Sequence, residues 1–354
     1  MLRGKSPSAR AILGETAVVA GRFAPSPTGD LHVGNLRTAL VAWLLARGEG
    51  REFLVRFEDL DRVAASVEHE HRQLADLAAL GLDHDGVVVR QSERFDLYRD
   101  AIADLDRAGL VYPCWCTRRE IAAEIAASTS APHGPTPGAP DDVDVPRDVD
   151  VPRDVMVPDG AYPGTCRDLS SVARREREAG ERPAALRLRS DDAVVEVNDR
   201  VHGRRRGRVD DVVLQRGDGV PAYNLAVVVD DHLQGVTQVV RGDDLLSSTP
   251  RQVHLQGLLG LATPEYAHVP LVLGPDGERL AKRHGAVTLT DLAREGVDRA
   301  EILGRLVRTL GIDVVGPVPD AHTILDRFRL AALPREPLIW DASHAREGDR
   351  PVGG

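Results

Sequence analysis

Residues 22 to 35 read Arg-Phe-Ala-Pro-Ser-Pro-Thr-Gly-Asp-Leu-His-Val-Gly-Asn, a run suited to holding phosphate. An apolar strand pattern, Val18 to Phe23, enters a proline and glycine loop, and His32 to Asn35 open an amphipathic helical pattern, Leu36 to Arg47. The unpaired backbone N–H groups of such a helix start attract anions, Gly34 permits close approach, and the spacing puts His32 and Asn35 on one face. A second glycine-rich segment, Gly274 to Ala286, follows the apolar run Val269 to Leu273. Among 45 basic residues only Lys5 and Lys282 are lysine, so a lysine in this loop suggests a compact, flexible point charge rather than a planar fork. The three cysteines, Cys114, Cys116 and Cys166, flank one long intervening segment. In a chain read as cytoplasmic they suggest a metal clip rather than a disulfide, although zinc prefers four ligands and buried, incidental thiols are the simpler alternative.

Three more segments place polar groups at the ends of apolar runs: Arg56-Phe-Glu-Asp59, Tyr223-Asn-Leu-Ala226 and Arg241-Gly-Asp-Asp-Leu-Leu246. In an α/β protein the crevice at the carboxyl ends of parallel strands is where a ligand sits. An amino acid with two carboxylates wants two cationic forks and one anion for its ammonium.

The elements that must hold these groups alternate. Val18 to Phe23, Leu36 to Arg47 and Glu52 to Phe57 form a strand-helix-strand unit. Helical patterns at Ser66 to Leu80 and Arg94 to Ala108 follow, separated by the short apolar run Val87 to Val89. This predicts an α/β protein with a parallel sheet, built as a split, Rossmann-like nucleotide-binding fold. Its first half spans 18–110, an inserted module with the cysteines spans 111–200, and the second half with the lysine loop spans 201–298. A short helical C-terminal extension covers 299–342, between a loose tail at 1–17 and a disordered one at 343–354. Within the insert, 128–160 is of low complexity, with three six-residue units of Asp, Val and Pro at 142 to 159 that build no core of their own.

With 354 residues and 42% hydrophobic content, the chain has room for two domains and a sizeable core. No run approaches membrane-spanning length and no signal-peptide pattern opens it, so a cytoplasmic protein without membrane contact, acting as a monomer, is expected. A net charge of −10 argues against indiscriminate coating of nucleic acid, leaving two local basic clusters as contacts: Arg174, Arg175 and Arg177, and Arg204, Arg205, Arg206 and Arg208.

His32-Val-Gly-Asn35 and Arg279-Leu-Ala-Lys-Arg283 resemble the two signatures of the class I aminoacyl-tRNA synthetases, His-x-Gly-His and Lys-Met-Ser-Lys-Ser in type. Ala24-Pro-Ser-Pro-Thr-Gly29 resembles the glutamyl branch in particular. The chain departs from the class at Asn35, at Arg279 and at both serine positions. Over residues 18 to 310 the resemblance implies glutamate binding by Arg22, Glu58, Tyr223 and Arg241, with Ala24 and Ser26 shaping the pocket. It further implies that His32, Asn35 and Lys282 act in catalysis, that Gly34 joins His32 and Lys282 at ATP, and that Mg²⁺ arrives with ATP. For the cysteines it implies one structural Zn²⁺ on Cys114, Cys116, Tyr162 and Cys166, since Tyr162-Pro-Gly-Thr-Cys166 matches the Tyr-x-x-x-Cys of the short glutamyl relatives. A phenol is an unusual ligand because its proton leaves only near pH 10, although a divalent cation lowers that. His133 is the competing fourth ligand.

Only 68 residues follow Ala286, fewer than an anticodon-binding part needs. The implied members are therefore the truncated paralogues that activate L-glutamate with ATP, without tRNA, and attach it to queuosine in the anticodon loop of tRNA(Asp). Two alternatives remain open at this point. One is another enzyme, either a truncated synthetase charging the acceptor end of tRNA(Glu) or a nucleotidyltransferase of this fold acting on a small acid. The other is a catalytically silent protein that binds glutamate or tRNA.

Overall fold

The computed structural model describes residues 19–130, 155–158, 160–280, 282–285 and 287–340, without the side chains of 127–130 and 282. The tails expected at 1–17 and 343–354, His133 and most of the 142–159 repeat lie outside the described residues. Strands β1 (Ala20–Phe23), β2 (Glu52–Phe57) and β3 (Val89–Arg90) alternate with helices α1 (Val33–Gly48), α2 (Val67–Ala79) and α3 (Phe95–Arg107). Next come β4 (Val111–Cys114), α4 (Arg118–Ser130), β5 (Val155–Met156), α5 (Ser171–Glu178), β6 (Ala185–Leu188), β7 (Val194–Asp199), β8 (Gly203–Arg208) and β9 (Val213–Gln215). The alternation resumes with α6 (Tyr223–Leu233), β10 (Val236–Gly242), α7 (Thr249–Leu259), β11 (Glu265–Val269) and β12 (Val272–Leu273). Helices α8 (Leu289–Arg294) and α9 (Arg299–Arg308) and the short β13 (Leu338–Ile339) complete the described chain.

The main sheet runs β3-β2-β1-β10-β11-β7-β8-β5 and is parallel from β3 to β11, the expected α/β architecture. Strand order reverses between β1, paired with β2 on one side, and β10 on the other. That switch point opens the crevice at their carboxyl ends. The register also sets Arg241 of β10 opposite His268 of β11. Strands β7 and β8 form an antiparallel hairpin carried on β11, and β4, β6 and β9 make a separate antiparallel sheet. Within the stretch read as low-complexity loop, Val155–Met156 adds an edge strand beside β8, because Val155 finds a buried place there.

Three elements differ from their sequence pattern. Helix α1 is buried almost all round, from Val33 to Ala46, rather than on one face. Its inner side packs on the sheet, and the C-terminal segment covers the other, where Trp43 meets His322 edge-on at 4.6 Å and Arg37 donates to the Thr309 hydroxyl. Each fully buried side chain such as Leu36 or Leu40 contributes about 1.5–3 kcal/mol through removal of apolar surface from water. Tyr223 does not lie at a strand terminus: Tyr223–Leu233 is the helix α6. The three valines 227–229 favour a strand by propensity, but burial of the whole run between the sheet and α3 and α7 overrides that weak preference. The helical extension expected over 299–342 resolves into α9, two 3₁₀ turns, Ala321–Arg327 and Leu330–Ala332, and the strand β13. Among the described residues no helix is long and apolar enough to cross a membrane.

Candidate active site and metal centre

A cavity of about 510 Å³ opens at the switch point, lined by Arg22, Ala24, Ser26, His32, Gly34 and Asn35 from the first motif and by Arg241 and Gly242 from β10. Leu271, Val272, Arg279 and Leu280 close it from the side of the lysine loop. A second, more apolar cavity of about 330 Å³ lies between α3, α6 and α7 and contains none of the residues singled out for chemistry.

His32 is the N-cap of α1. Its Nδ1 accepts from the N–H of Gly34 and Asn35 at 3.1 and 3.2 Å, and Asn35 Oδ1 accepts the His32 N–H in return. An acceptor Nδ1 requires a neutral ring with its hydrogen on Nε2, and burial holds the His32 pKa below the ordinary value. His32 thus offers the pocket an Nε2–H donor, while Asn35 serves the cap. Gly34 has no substitute there, because a Cβ would lie 2.9 Å from the imidazole and 3.3 Å from Val272.

The two signature segments are joined by backbone. Val33 donates to the Val287 carbonyl at 2.8 Å, and His32 pairs with Thr288 as an isolated bridge. The loop between Leu273 and Arg279 is a tight hairpin in which Gly274 donates to Glu278 and Arg279 pairs with Asp244 at 2.8 Å. Lys282 begins a short 3₁₀ turn, and its side chain lies outside the described residues.

Under the pocket lies a buried charge network. Asp231 of α6 accepts from Arg22 Nε at 3.4 Å and from Arg56 Nη1 at 2.8 Å, so one carboxylate braces arginines of β1 and β2. Asp230, beside it, accepts from Arg94, Gln91 and the Tyr98 hydroxyl. Glu58 stands 3.6 Å from Arg56 Nη2, and its Oε1 is buried with no hydrogen-bond partner. Burial pushes the Glu58 carboxyl up, while Arg56, Arg22 and Arg241 pull it down. Burial likewise raises Tyr223, with Glu58 adding to it and Arg241 opposing, which puts all four glutamate-site candidates within one electrostatic neighbourhood. Glu58 and Tyr223 are not among the residues lining the cavity surface. Sequence reasoning missed Asp231 and the partners of Arg241, which are Thr249, Gln252 and His268. The one signal that pointed to them was a histidine at an otherwise apolar position of a strand, in Tyr266-Ala-His-Val269.

The cysteines converge. Cys116 Sγ lies 3.5 Å from Cys166 Sγ, Cys114 Sγ is 3.3 Å from the Tyr162 hydroxyl, and all three sulfurs lie within 4.8 Å of one another. In a tetrahedral site with Zn–S bonds of ~2.3 Å, neighbouring ligands stand roughly 3.8 Å apart, so the spacing fits a zinc ion. The Tyr162 hydroxyl lies beside them, 3.6 Å from Cys116 Sγ, with its oxygen accepting the Cys166 N–H at 2.8 Å. Burial pushes the Cys116 thiol up to about 12, and the neighbouring Cys166 and Cys114 add to the rise. The Arg187 guanidinium lies 3.7 Å over the Tyr162 ring. Purified protein is expected to carry one equivalent of zinc, and Cys116→Ser to lose it together with local stability. Elemental analysis decides: metal-free protein that is folded and fully active would return the thiols to an incidental role.

The profile of the tRNA synthetases class I (E and Q), catalytic domain, matches residues 18–321. The chain is 57% identical to a protein of Nocardia farcinica named glutamyl-Q tRNA(Asp) synthetase, over 90% of this chain and 92% of that one. A protein of the same name from Cutibacterium acnes is 50% identical over 95% of this chain and 86% of its own length. The crystal structure of a glutamate tRNA ligase from Elizabethkingia meningosepticum, in complex with its amino acid, superposes with a TM-score of 0.72 at 25% identity, covering 93% of this chain and 68% of that one.

Proposed function

We propose, from the premise that this chain belongs to the class I tRNA synthetases for glutamate and glutamine, that it joins L-glutamate to ATP without tRNA and passes the glutamate to queuosine of tRNA(Asp). The observation that carries the amino-acid half is the convergence of Arg22 and Arg241, at the carboxyl ends of neighbouring strands, on one pocket beside Glu58 and the His32-capped helix. Two cationic forks suit two carboxylates, and Glu58 Oε1, which accepts no hydrogen bond among the described residues, suits an ammonium. Ala24 and Ser26 shape the wall. The acceptor half is supported by the name shared by relatives that match over most of their length.

The reaction needs no side-chain nucleophile. The glutamate carboxylate attacks the α-phosphorus of ATP, one P–O bond forms and another breaks, and pyrophosphate leaves. Catalysis then rests on positioning and on stabilising phosphate charge. In this reading the His32 Nε2–H and the Lys282 ammonium meet the phosphates, and Gly34 lines the ATP side. Mg²⁺ carried by ATP supplies further charge neutralisation there. The zinc held by Cys114, Cys116, Tyr162 and Cys166 is structural. Arg204, Arg205 and Arg206 are exposed on β8 and provide a ribbon for phosphates of the tRNA. The reading places the enzyme in the cytoplasm as a monomer.

Glutamate-dependent exchange of pyrophosphate into ATP, run without tRNA, tests the first half. Exchange with glutamate and none with glutamine is expected, because a neutral amide leaves one buried arginine unpaired. Exchange that requires tRNA, or that glutamine supports equally, would overturn it.

A further inference from the structure

Arg241 is 5% exposed, and its guanidinium is held on three sides. Nε donates to His268 Nε2 at 3.0 Å, Nη1 to Gln252 Oε1 at 2.8 Å, and Nη2 to the Thr249 hydroxyl at 2.8 Å. A guanidinium has five N–H groups, so these contacts leave one on each terminal nitrogen that a carboxylate could accept. Thr249 can accept because its own proton is directed to the Leu245 carbonyl at 2.9 Å.

For His268 Nε2 to accept, the ring hydrogen must sit on Nδ1. Asp199 Oδ2 lies 2.7 Å from that atom and also accepts the His268 backbone N–H at 3.0 Å. Asp199 is itself fixed, since its Oδ1 accepts the N–H of Val201 and His202 at 2.9 and 2.8 Å in the turn of the β7–β8 hairpin. Burial drives the imidazole down to about 4, so the ring is neutral near pH 7. The β10–β11 register sets the histidine beside the arginine.

The geometry points to His268, its tautomer set by Asp199, as a positioning residue that fixes how Arg241 turns its two remaining N–H groups toward a substrate carboxylate. This rests on the reading of Arg241 as a glutamate contact. An apolar residue at 268 would fill the space, yet it would leave the arginine Nε–H buried without an acceptor and the fork held only by Gln252 and Thr249.

The test measures KM for glutamate and for ATP separately in tRNA-free pyrophosphate exchange, with His268→Leu, His268→Asn, His268→Gln and Arg241→Ala. Gln returns an acceptor oxygen near the Nε2 position, whereas Asn replaces only the Nδ1 side. The Leu and Asn variants are expected to raise the glutamate KM roughly 10- to 100-fold, the loss of a hydrogen bond to a charged group, with the ATP KM unchanged. Gln is expected to recover most of the loss. If the Leu variant does not fold, the contrast between Asn and Gln carries the test. A glutamate KM unmoved by Leu or Asn but raised by Arg241→Ala would overturn the positioning role and leave the glutamate site standing. Equal rises for glutamate and ATP would also overturn it, as a general structural defect. Arg241→Ala that leaves the glutamate KM unchanged would remove the underlying reading itself.

Discussion

Lys282→Ala is expected to slow formation of the glutamyl-adenylate by about 30- to 1,000-fold, while the glutamate KM moves little. Removing one preorganised charge stabiliser costs on the order of 2–4 kcal/mol of barrier, because the charge acts most strongly as pyrophosphate separates rather than in the ground state. The placement of the loop supports this. Its end is bonded through Val287 and Thr288 to the start of α1, so the turn that begins at Lys282 is tied to the helix end read as the phosphate site. Arg279, at the position of the first signature lysine, is paired with Asp244, which leaves the second position to supply the mobile charge. Rapid-quench measurement of adenylate formation reads the effect. A rate within about twofold of the unaltered protein would take the lysine out of the chemistry.

The largest effect on stability is expected at Arg56, which has no solvent exposure and stands against Asp231, Asp230 and Glu58 at 2.8, 3.9 and 3.6 Å. Arg56→Leu leaves three buried carboxyls short of their shared cation, and breaking a buried pair from one side costs about 3–5 kcal/mol. The carboxylates hold the Arg56 pKa above its ordinary value despite burial, so the arginine itself does not escape the cost by losing its proton. Glutamate affinity is expected to weaken as well, since Asp231 also braces Arg22. Urea unfolding followed by circular dichroism measures the loss. A midpoint unchanged from the parent protein would show that the network relaxes around the vacancy.

Arg56 also marks how far the sequence alone reaches. The local patterns were visible in the sequence: the loop running into His32, the glycine segment around Lys282, and the Cys-x-Cys and Tyr-x-x-x-Cys pairs each sit within a dozen residues, while the joining of Tyr162 to the cysteines came from the family resemblance. Strands β1 and β2 and helices α2 and α3 were legible for the same reason, their periodicity being continuous and flanked by turn residues. What was not legible depends on register between distant segments. Asp231 meets Arg22 across 209 positions, and His268 meets Arg241 only because β10 and β11 pair as they do. The same distance effect disguised α1 and α6. Burial of α1 on both sides comes from a C-terminal segment that no local window contains, and the valines of α6 carry strand propensity that tertiary packing overrides.

The acceptor is the central claim, and labelled glutamate offered with four RNAs tests it most directly. Incubated with ATP and the enzyme, queuosine-containing tRNA(Asp) is expected to take up label, tRNA(Asp) lacking queuosine to take up none, and tRNA(Glu) to remain a poor substrate. An isolated queuosine-bearing anticodon stem-loop is expected to accept some label too, since the splayed bases of a loop suit recognition by a compact pocket. Label on the 3′ end of tRNA(Glu), with none on queuosine-containing tRNA(Asp), would contradict the account and make the chain a synthetase that charges the acceptor end.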